Sequence, residues 1–205
     1  MDYNKNILVS CSSRKSNVKG VKSDLTSLSF HNELHQTRKY IIDRYLNGDC
    51  NFWDTKTNQK RNLCPSKSLD WGNCLPAYKR YTGIVYSHVE KCNWQKADNV
   101  LIISPLWGII RPEDKIPHYN LQMSDLLISE KNHTETAIWR VWRPVLDDLL
   151  VKLSKNIPPY TLLFNNCSLA FGVNNRNTFE SPIPNWNDNY GHHKGKWLNN
   201  YLSNK

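Results

Sequence analysis

Residues 101–120 read LIISPLWGIIRPEDKIPHYN, and this stretch contains the transition that decides the fold. An apolar run continues from Val100 and stops at Ser104-Pro105. A short, uninterrupted apolar run bounded by turn-forming residues predicts a buried β-strand. Residues 104–119 then supply a hydroxyl, a cation, carboxylates, an imidazole and a phenol, which is more chemistry than an ordinary turn carries. We therefore predict a buried strand whose carboxyl end opens into a functional loop.

Two further strands and two long helices are predicted around this one. Residues 6–11 (NILVSC) and the run in PPYTLLFNNCS are apolar and end in polar clusters. Helical periodicity predicts one helix that ends near Gly48 with a left-handed cap, and another through ETAIWRVWRPVLDDLLVKLS, where Pro144 kinks the helix or marks a restart. Alternating strands and helices predict an α/β fold, with a mixed, partly parallel sheet flanked by helices in a single domain over 1–205.

Two regions lack clear periodicity. Residues 49–76 are rich in turn formers and are predicted to be loop-rich. They form either a plain insertion or a segment that covers a functional site. The region after the third strand is predicted to be mostly loop until a short helix around 195–202. No internal repeat is visible.

Composition limits the classes of partner. Lys and Arg exceed Asp and Glu by nine, which favours a polyanion such as nucleic acid or a phosphorylated small molecule, although a lysine-rich proteome gives the same excess. The six cysteines contain no Cys-x-x-Cys pair, and no metal or organic cofactor is predicted. Without a signal peptide or a membrane-spanning apolar run, we predict a cytoplasmic protein with reduced thiols and no membrane partner.

The loop SCSSRKS, after the first strand, is the first candidate site. Its hydroxyls, backbone N–H groups and two cations resemble an anion cradle, although it contains no glycine and is not a Walker motif. An ordinary polar strand end is the alternative. We predict that an anion is held by the residues Ser10, Ser12, Arg14 and Lys15.

The loop after the central strand is the second candidate site. Ser104, Arg111 and Asp114 are predicted to complete the pocket, or Arg111 pins the loop through a salt bridge to an acidic neighbour. Trp107 stacks on a base or fills the core, and Gly108 lets the backbone turn sharply or approach a ligand. We predict that two further residues contact the base or sugar edge of a ligand: Tyr119 and, after the third strand, Asn166.

A rival hypothesis is an enzyme that acts on a nucleoside or nucleobase by cleaving or exchanging the N-glycosidic bond. In that case Asp114 or His118 would serve as acid or base, since imidazole titrates near neutrality. No Ser–His–Asp order or HExxH motif is present, so whether the protein is an enzyme stays open.

The sequence resembles the YaaA family of peroxide-stress proteins. The family has a Gly-x-Val-Tyr segment and then a Ser-Gly-Leu-Tyr-Gly-Leu-Leu-Arg-Pro-Leu-Asp stretch that continues to Pro-Tyr and Met. The residues that match these two segments are Gly83, Val85, Tyr86, Ser104, Gly108, Arg111, Pro112, Asp114, Pro117, Tyr119 and Met123. NILVSCSSRK, IWRVWRPVLDDLL and LLFNNCSLAFG stand where the family has a strand end, a Trp-bearing helix and a second strand end.

The resemblance implies a cytosolic α/β protein with a positively charged cleft that binds DNA or a nucleotide-like ligand and limits oxidative damage. Pro105-Leu106-Trp107 and Ser10-Cys11-Ser12-Ser13 depart from the family pattern, and 49–76 has no counterpart in it. The end of the chain, SPIPNWNDNYGHHKGKWLNNYL, is also slightly similar to the closing motif of uracil-DNA glycosylases, which flip a base out of the duplex.

Overall fold

The computed structural model describes residues 2–54, 59–62, 69–129, 133–154, 157–183 and 191–205, with only the backbone described for 52–54 and 59–62. The glycosylase-like ending therefore lies partly outside the described residues. The strands of the described residues are β1 (Ile7–Ser10), β2 (Cys50–Asp54), β3 (Gln59–Asn62), β4 (Leu75–Pro76), β5 (Val100–Ser104), β6 (Gly108–Ile110), β7 (Lys115–Ile116), β8 (Leu126–Ile128), β9 (Glu135–Ala137) and β10 (Tyr160–Leu162).

The helices follow the same chain order. They are α1 (His31–Asn47), α2 (Ala77–Arg80), α3 (Ile84–Ser87), α4 (Ile138–Ser154), α5 (Asn165–Ser168), α6 (Val173–Thr178) and α7 (Gly191–Ser203), with 3-10 turns at Leu25–Ser27 and Asn93–Lys96.

The main sheet has the strand order β10-β1-β5-β6. β1 runs parallel to both β10 and β5, whereas β6 returns antiparallel to β5. The residues of β1 and β5 are buried throughout, as expected for parallel strands covered on both faces. The predicted α/β fold with a mixed, partly parallel sheet is confirmed, and so are the three strands on which it rested.

The remaining strands form two smaller antiparallel sheets, in the orders β3-β2-β8-β9 and β4-β7. The prediction that 49–76 is loop-rich is wrong at β2, β3 and β4, because these strands obtain their hydrogen bonds from each other and from distant β8 and β7. Their sequences, such as QKRN in β3, lack apolar alternation. Pairing partners far away in the chain decided the structure there.

Helices pack beside the main sheet. α1 contacts α4, α4 contacts β6, and α7 contacts α3. α1 ends at Gly48, whose φ of 80° confirms the predicted left-handed cap. α4 continues through Pro144 as one helix, and α7 begins earlier than the predicted 195. α6 lies in the region predicted to be mostly loop, which is a further correction.

No helix among the described residues combines the length and apolar character that crossing a bilayer requires.

Candidate functional site

The carboxyl ends of β1, β5 and β10 lie together, because these three strands are parallel neighbours. We call this end of the main sheet the carboxyl edge. Two bonds join the three chain segments there: the Cys11 N–H donates to the Ile103 carbonyl (3.0 Å), and the Phe164 N–H donates to Ser10 Oγ (2.8 Å). The strand-end loops therefore form one continuous surface.

A cavity of about 400 Å³ opens at the carboxyl edge, and we call it the strand-end cavity. It is lined by Ser10, Cys11, Ser12, Ser13, Arg14, Ile84, Val85, Tyr86 and Phe164. Its polar wall is thus the loop that follows β1, and its apolar wall comes from α3 and from the end of β10.

The loop after β1 is held in shape by its own hydrogen bonds and by its neighbours. Ser12 is buried, and its Oγ accepts a bond from the Arg14 N–H (3.1 Å). The Arg14 carbonyl accepts from the Thr82 N–H (3.0 Å). A Cβ at Gly83 would lie 2.2 Å from Ser12 Oγ, so only glycine fits beside the loop.

Arg14 and Lys15 occupy different environments. The Arg14 side chain is exposed at the cavity and has no hydrogen bond or ion pair with any described residue. Lys15 turns inward, with Nζ 4.2 Å from the centroid of the Tyr119 ring. Burial lowers the pKa of Lys15. Arg14 is therefore the cation of this loop that is open to an anion, whereas Lys15 lies beneath it.

A buried chain of hydroxyl groups lies under the loop. Tyr81 Oη and Tyr119 Oη are 2.7 Å apart, and Tyr119 Oη is 2.9 Å from Ser104 Oγ. Ser104 Oγ also accepts a bond from the Trp107 N–H (3.2 Å). Burial raises the pKa of both tyrosines well above the usual value. Ser104 and Tyr119 therefore support the site from the interior rather than from the cavity wall.

Trp107 and Gly108 form the turn between β5 and β6. Trp107 is fully buried and packs edge-on against Tyr119, with 5.7 Å between ring centroids. Gly108 has a φ of 69°, and a Cβ there would lie 2.8 Å from the Trp142 ring. Of the two roles predicted for each residue, Trp107 fills the core and Gly108 allows the sharp turn.

Arg111 and Asp114 lie at the other end of the main sheet, since β6 carries the chain back along β5. The Arg111 guanidinium donates to the Asp98 carbonyl, just before β5, and stacks over the Phe30 ring. The Asp114 carboxylate accepts bonds from Ser29 Oγ (2.8 Å) and from the Arg111 N–H (2.9 Å). Neither side chain lines the strand-end cavity, and the expected Arg111–Asp114 contact is a backbone-to-carboxylate bond.

His118 and Asn166 are both exposed. Asn166 lies in α5, two residues after Phe164, and thus beside the carboxyl edge. The pKa of His118 is lowered, first by burial of part of its ring and then by Lys15. The structure brings Ser10, Ser12, Arg14 and Asn166 to one edge and places Arg111 and Asp114 at the other. Nothing in this arrangement favours Asp114 as an acid or base acting at the cavity.

A second, larger cleft adjoins the strand-end cavity. It measures about 580 Å³, and Tyr86 lines both spaces. Four aromatic residues line it: Tyr78, Tyr81, Tyr86 and Trp94. Trp94 stacks on both Tyr78 and Tyr86, with 5.6 Å between ring centroids in each pair. Lys79 and Lys91 also line it. We call this space the aromatic cleft.

The residues that link these features were not among the predicted site residues. Tyr81 joins the hydroxyl chain, and buried Arg80 donates to the carbonyls of Asn73 and Ile116. The two cysteines of the carboxyl edge, Cys11 and Cys167, were not among the predicted site residues either. Cys11 ends the first predicted strand, and Cys167 lies in the polar cluster after the third, which was the available signal.

Comparison with known proteins identifies the family. Residues 6–172, from β1 to just beyond α5, match the sequence profile of the family described as "Peroxide stress protein YaaA". The chain belongs to the YaaA family. The match includes every strand of the main sheet and the whole loop after β1.

Two curated relatives carry the name "UPF0246 protein". The protein from Phocaeicola vulgatus is 29% identical over 89 residues, which are 40% of this chain and 34% of the relative. The protein from Porphyromonas gingivalis is 31% identical over 83 residues, 38% of this chain and 31% of the relative. The matched segments thus span about a third of the length of each relative.

Proposed function

We propose that this YaaA family protein acts in the cytoplasm and binds the phosphate of a nucleotide or of a nucleic acid strand in the strand-end cavity. The observation that carries the proposal is Arg14. An exposed guanidinium without a partner among the described residues, beside three serine hydroxyls at the carboxyl ends of parallel strands, is suited to a phosphate.

The electrostatics of the whole chain support an anionic ligand. The formal net charge is +9, so a polyanion is attracted at long range and releases counterions when it binds. The guanidinium of Arg14 is planar and can donate two parallel hydrogen bonds to phosphate oxygens. Ser13, which is exposed beside it, adds a hydroxyl donor.

The aromatic cleft supports a nucleotide rather than a bare phosphate. It shares Tyr86 with the strand-end cavity, so a phosphate near Arg14 places its sugar and base toward Tyr78 and Lys79. Bases stack on aromatic side chains without regard to sequence, and each stacked base contributes roughly 1–3 kcal/mol. Lys79 and Lys91 line the same cleft and would contact the backbone of a longer strand.

The test is equilibrium binding of AMP and of a fluorescent single-stranded oligonucleotide to the full chain and to Arg14→Ala. Charge-assisted bonds of this kind contribute roughly 1.5–3 kcal/mol, so we expect affinity to fall about tenfold or more. Arg140→Ala is the matched control, because Arg140 is an exposed arginine on α4 that packs over Trp139. It removes the same charge away from the cavity.

The possible outcomes distinguish between the two ligands and also test the proposed site. Loss of AMP binding in Arg14→Ala identifies a nucleotide, and loss for the oligonucleotide alone identifies a nucleic acid strand. Equal weakening by Arg14→Ala and Arg140→Ala would show that only net charge matters, and would overturn the proposed site. Unchanged affinity in Arg14→Ala would overturn it as well.

A further inference from the structure

Two thiols meet at the carboxyl edge. Cys11 directly follows β1, and Cys167 lies in α5, which follows β10. Since β1 and β10 are parallel neighbours, and the Phe164 N–H bond to Ser10 Oγ joins their ends, the two cysteines lie at the same edge. A hydrogen bond between their side chains is the leading cause of the pKa shift of each. Both are free thiols in the structure.

We propose that Cys11 and Cys167 form a peroxide-reactive dithiol, in which Cys11 is the attacking sulfur and Cys167 the resolving sulfur. Access assigns the two roles. Cys11 is partly exposed and lines the strand-end cavity, whereas Cys167 is buried and is not among the lining residues. A cavity of about 400 Å³ readily admits hydrogen peroxide, since a water molecule occupies about 30 Å³ of liquid volume.

The surroundings of Cys11 favour its thiolate. The hydrogen bond with Cys167 makes the largest contribution to lowering the pKa of Cys11, and the ammonium of Lys15 and the hydroxyl of Tyr119 lower it further, against the opposing effect of burial. The same pairing raises the pKa of Cys167, together with burial. Because the thiolate is the nucleophile, the structure concentrates reactivity on the cysteine that the cavity exposes.

The other described cysteines lack these surroundings. Burial raises the pKa of Cys50 to about 12 and that of Cys74 to about 11, so both stay protonated. Cys92 is exposed on the surface, and its thiol contacts the side chains of Glu90 and Asn93. Cys92 is therefore the matched comparison for an exposed thiol away from the carboxyl edge.

The chemistry balances with hydrogen peroxide as the oxidant. The Cys11 thiolate attacks one peroxide oxygen, the O–O bond breaks, and the departing hydroxide takes a proton to become water, which leaves Cys11 as a sulfenic acid. The Cys167 sulfur then attacks Cys11 Sγ, and the sulfenic oxygen leaves as a second water once protonated. Two thiols and one peroxide thus give one disulfide and two waters.

The test uses the reduced full chain, exposed to hydrogen peroxide without any nucleotide, quenched with an alkylating reagent and mapped by mass spectrometry. We expect a Cys11–Cys167 disulfide that forms at least about tenfold faster than Cys92 oxidises. Cys167→Ser should arrest the reaction at the sulfenic acid, trapped on Cys11 by dimedone. Cys92→Ser should leave the rate unchanged.

Two results would overturn the proposal: oxidation of Cys92 as fast as that of Cys11, or absence of a dimedone adduct on Cys11 in Cys167→Ser. Alkylation of Cys11 across pH gives an independent readout, because Lys15→Met should move its midpoint upward, while an unmoved midpoint would remove Lys15 from the site. The nucleotide proposal does not enter these measurements. Failure of AMP or oligonucleotide binding would leave the thiol result standing.

Discussion

The loop after β1 and the loop after β6 each carry an arginine near small polar or acidic residues, yet they differ in how their polar groups are used. At Asp114 the carboxylate is bonded to Ser29 and to the backbone of Arg111, and the Arg111 guanidinium is bonded to the Asp98 carbonyl. At the carboxyl edge, Arg14 has no partner among the described residues and faces a cavity. Unused hydrogen-bonding capacity, rather than polar composition, distinguishes a ligand site from a scaffold.

The largest expected effect concerns the scaffold loop. Asp114→Ala leaves the Ser29 and Arg111 N–H groups without an acceptor and leaves buried Arg38 without the nearby negative charge that raises its pKa. We expect the free energy of unfolding to fall by about 3 kcal/mol. Urea denaturation followed by tryptophan fluorescence measures this change.

Asp43→Ala is the control for that substitution, because Asp43 is exposed on α1 and should change stability by no more than about 0.5 kcal/mol. If the two variants were equally stable, the bonds of Asp114 would contribute nothing, and the contrast between the two loops would lose its basis.

A smaller effect comes from Asp125, a buried carboxyl group near Lys15. Burial raises its pKa to about 6, above the ordinary value of 3.8. Between about pH 4 and pH 6 the folded state therefore binds more protons at this group than the unfolded state, and its contribution to stability falls as pH rises. Relative to Asp125→Asn, the wild type should lose on the order of 2 kcal/mol across this window.

Denaturation curves of both proteins at pH 4.5 and pH 7 check this expectation. Asn keeps an oxygen to accept the Gln122 N–H bond but does not ionise. Parallel changes in the two proteins would mean that Asp125 does not titrate in this range and that other groups set the pH dependence.

The three parallel strands of the main sheet could be predicted from the sequence because they are continuous apolar runs. Gly48 also identified the end of α1, since a left-handed cap selects glycine. The second sheet could not be predicted: β2 pairs with β8 across a long stretch of chain, and β3 carries no apolar alternation. Such strands depend on partners that a local pattern does not reveal.

Only one of the two loops predicted for the candidate site could be placed correctly from the sequence. The loop after β1 follows directly from its strand, but the position of Arg111 depends on a reversal of the chain. Ser104 pairs with Gly108, so Pro105, Leu106 and Trp107 form a tight turn, and β6 carries Arg111 away from the carboxyl edge. The sequence signal for this hairpin was Gly108, which adopts a positive φ. The same glycine was also compatible with a ligand-binding turn, so the sequence did not decide between the two.

The most direct test of the account is to measure AMP affinity and unfolding free energy in Arg14→Ala and Arg111→Ala side by side. The geometry predicts that Arg14→Ala weakens binding about tenfold with stability within about 0.5 kcal/mol of wild type. It predicts that Arg111→Ala lowers stability by about 1 kcal/mol, through the lost bond to the Asp98 carbonyl, and leaves affinity unchanged. Reduced affinity in Arg111→Ala with full affinity in Arg14→Ala would contradict the account and place the ligand at the opposite end of the sheet.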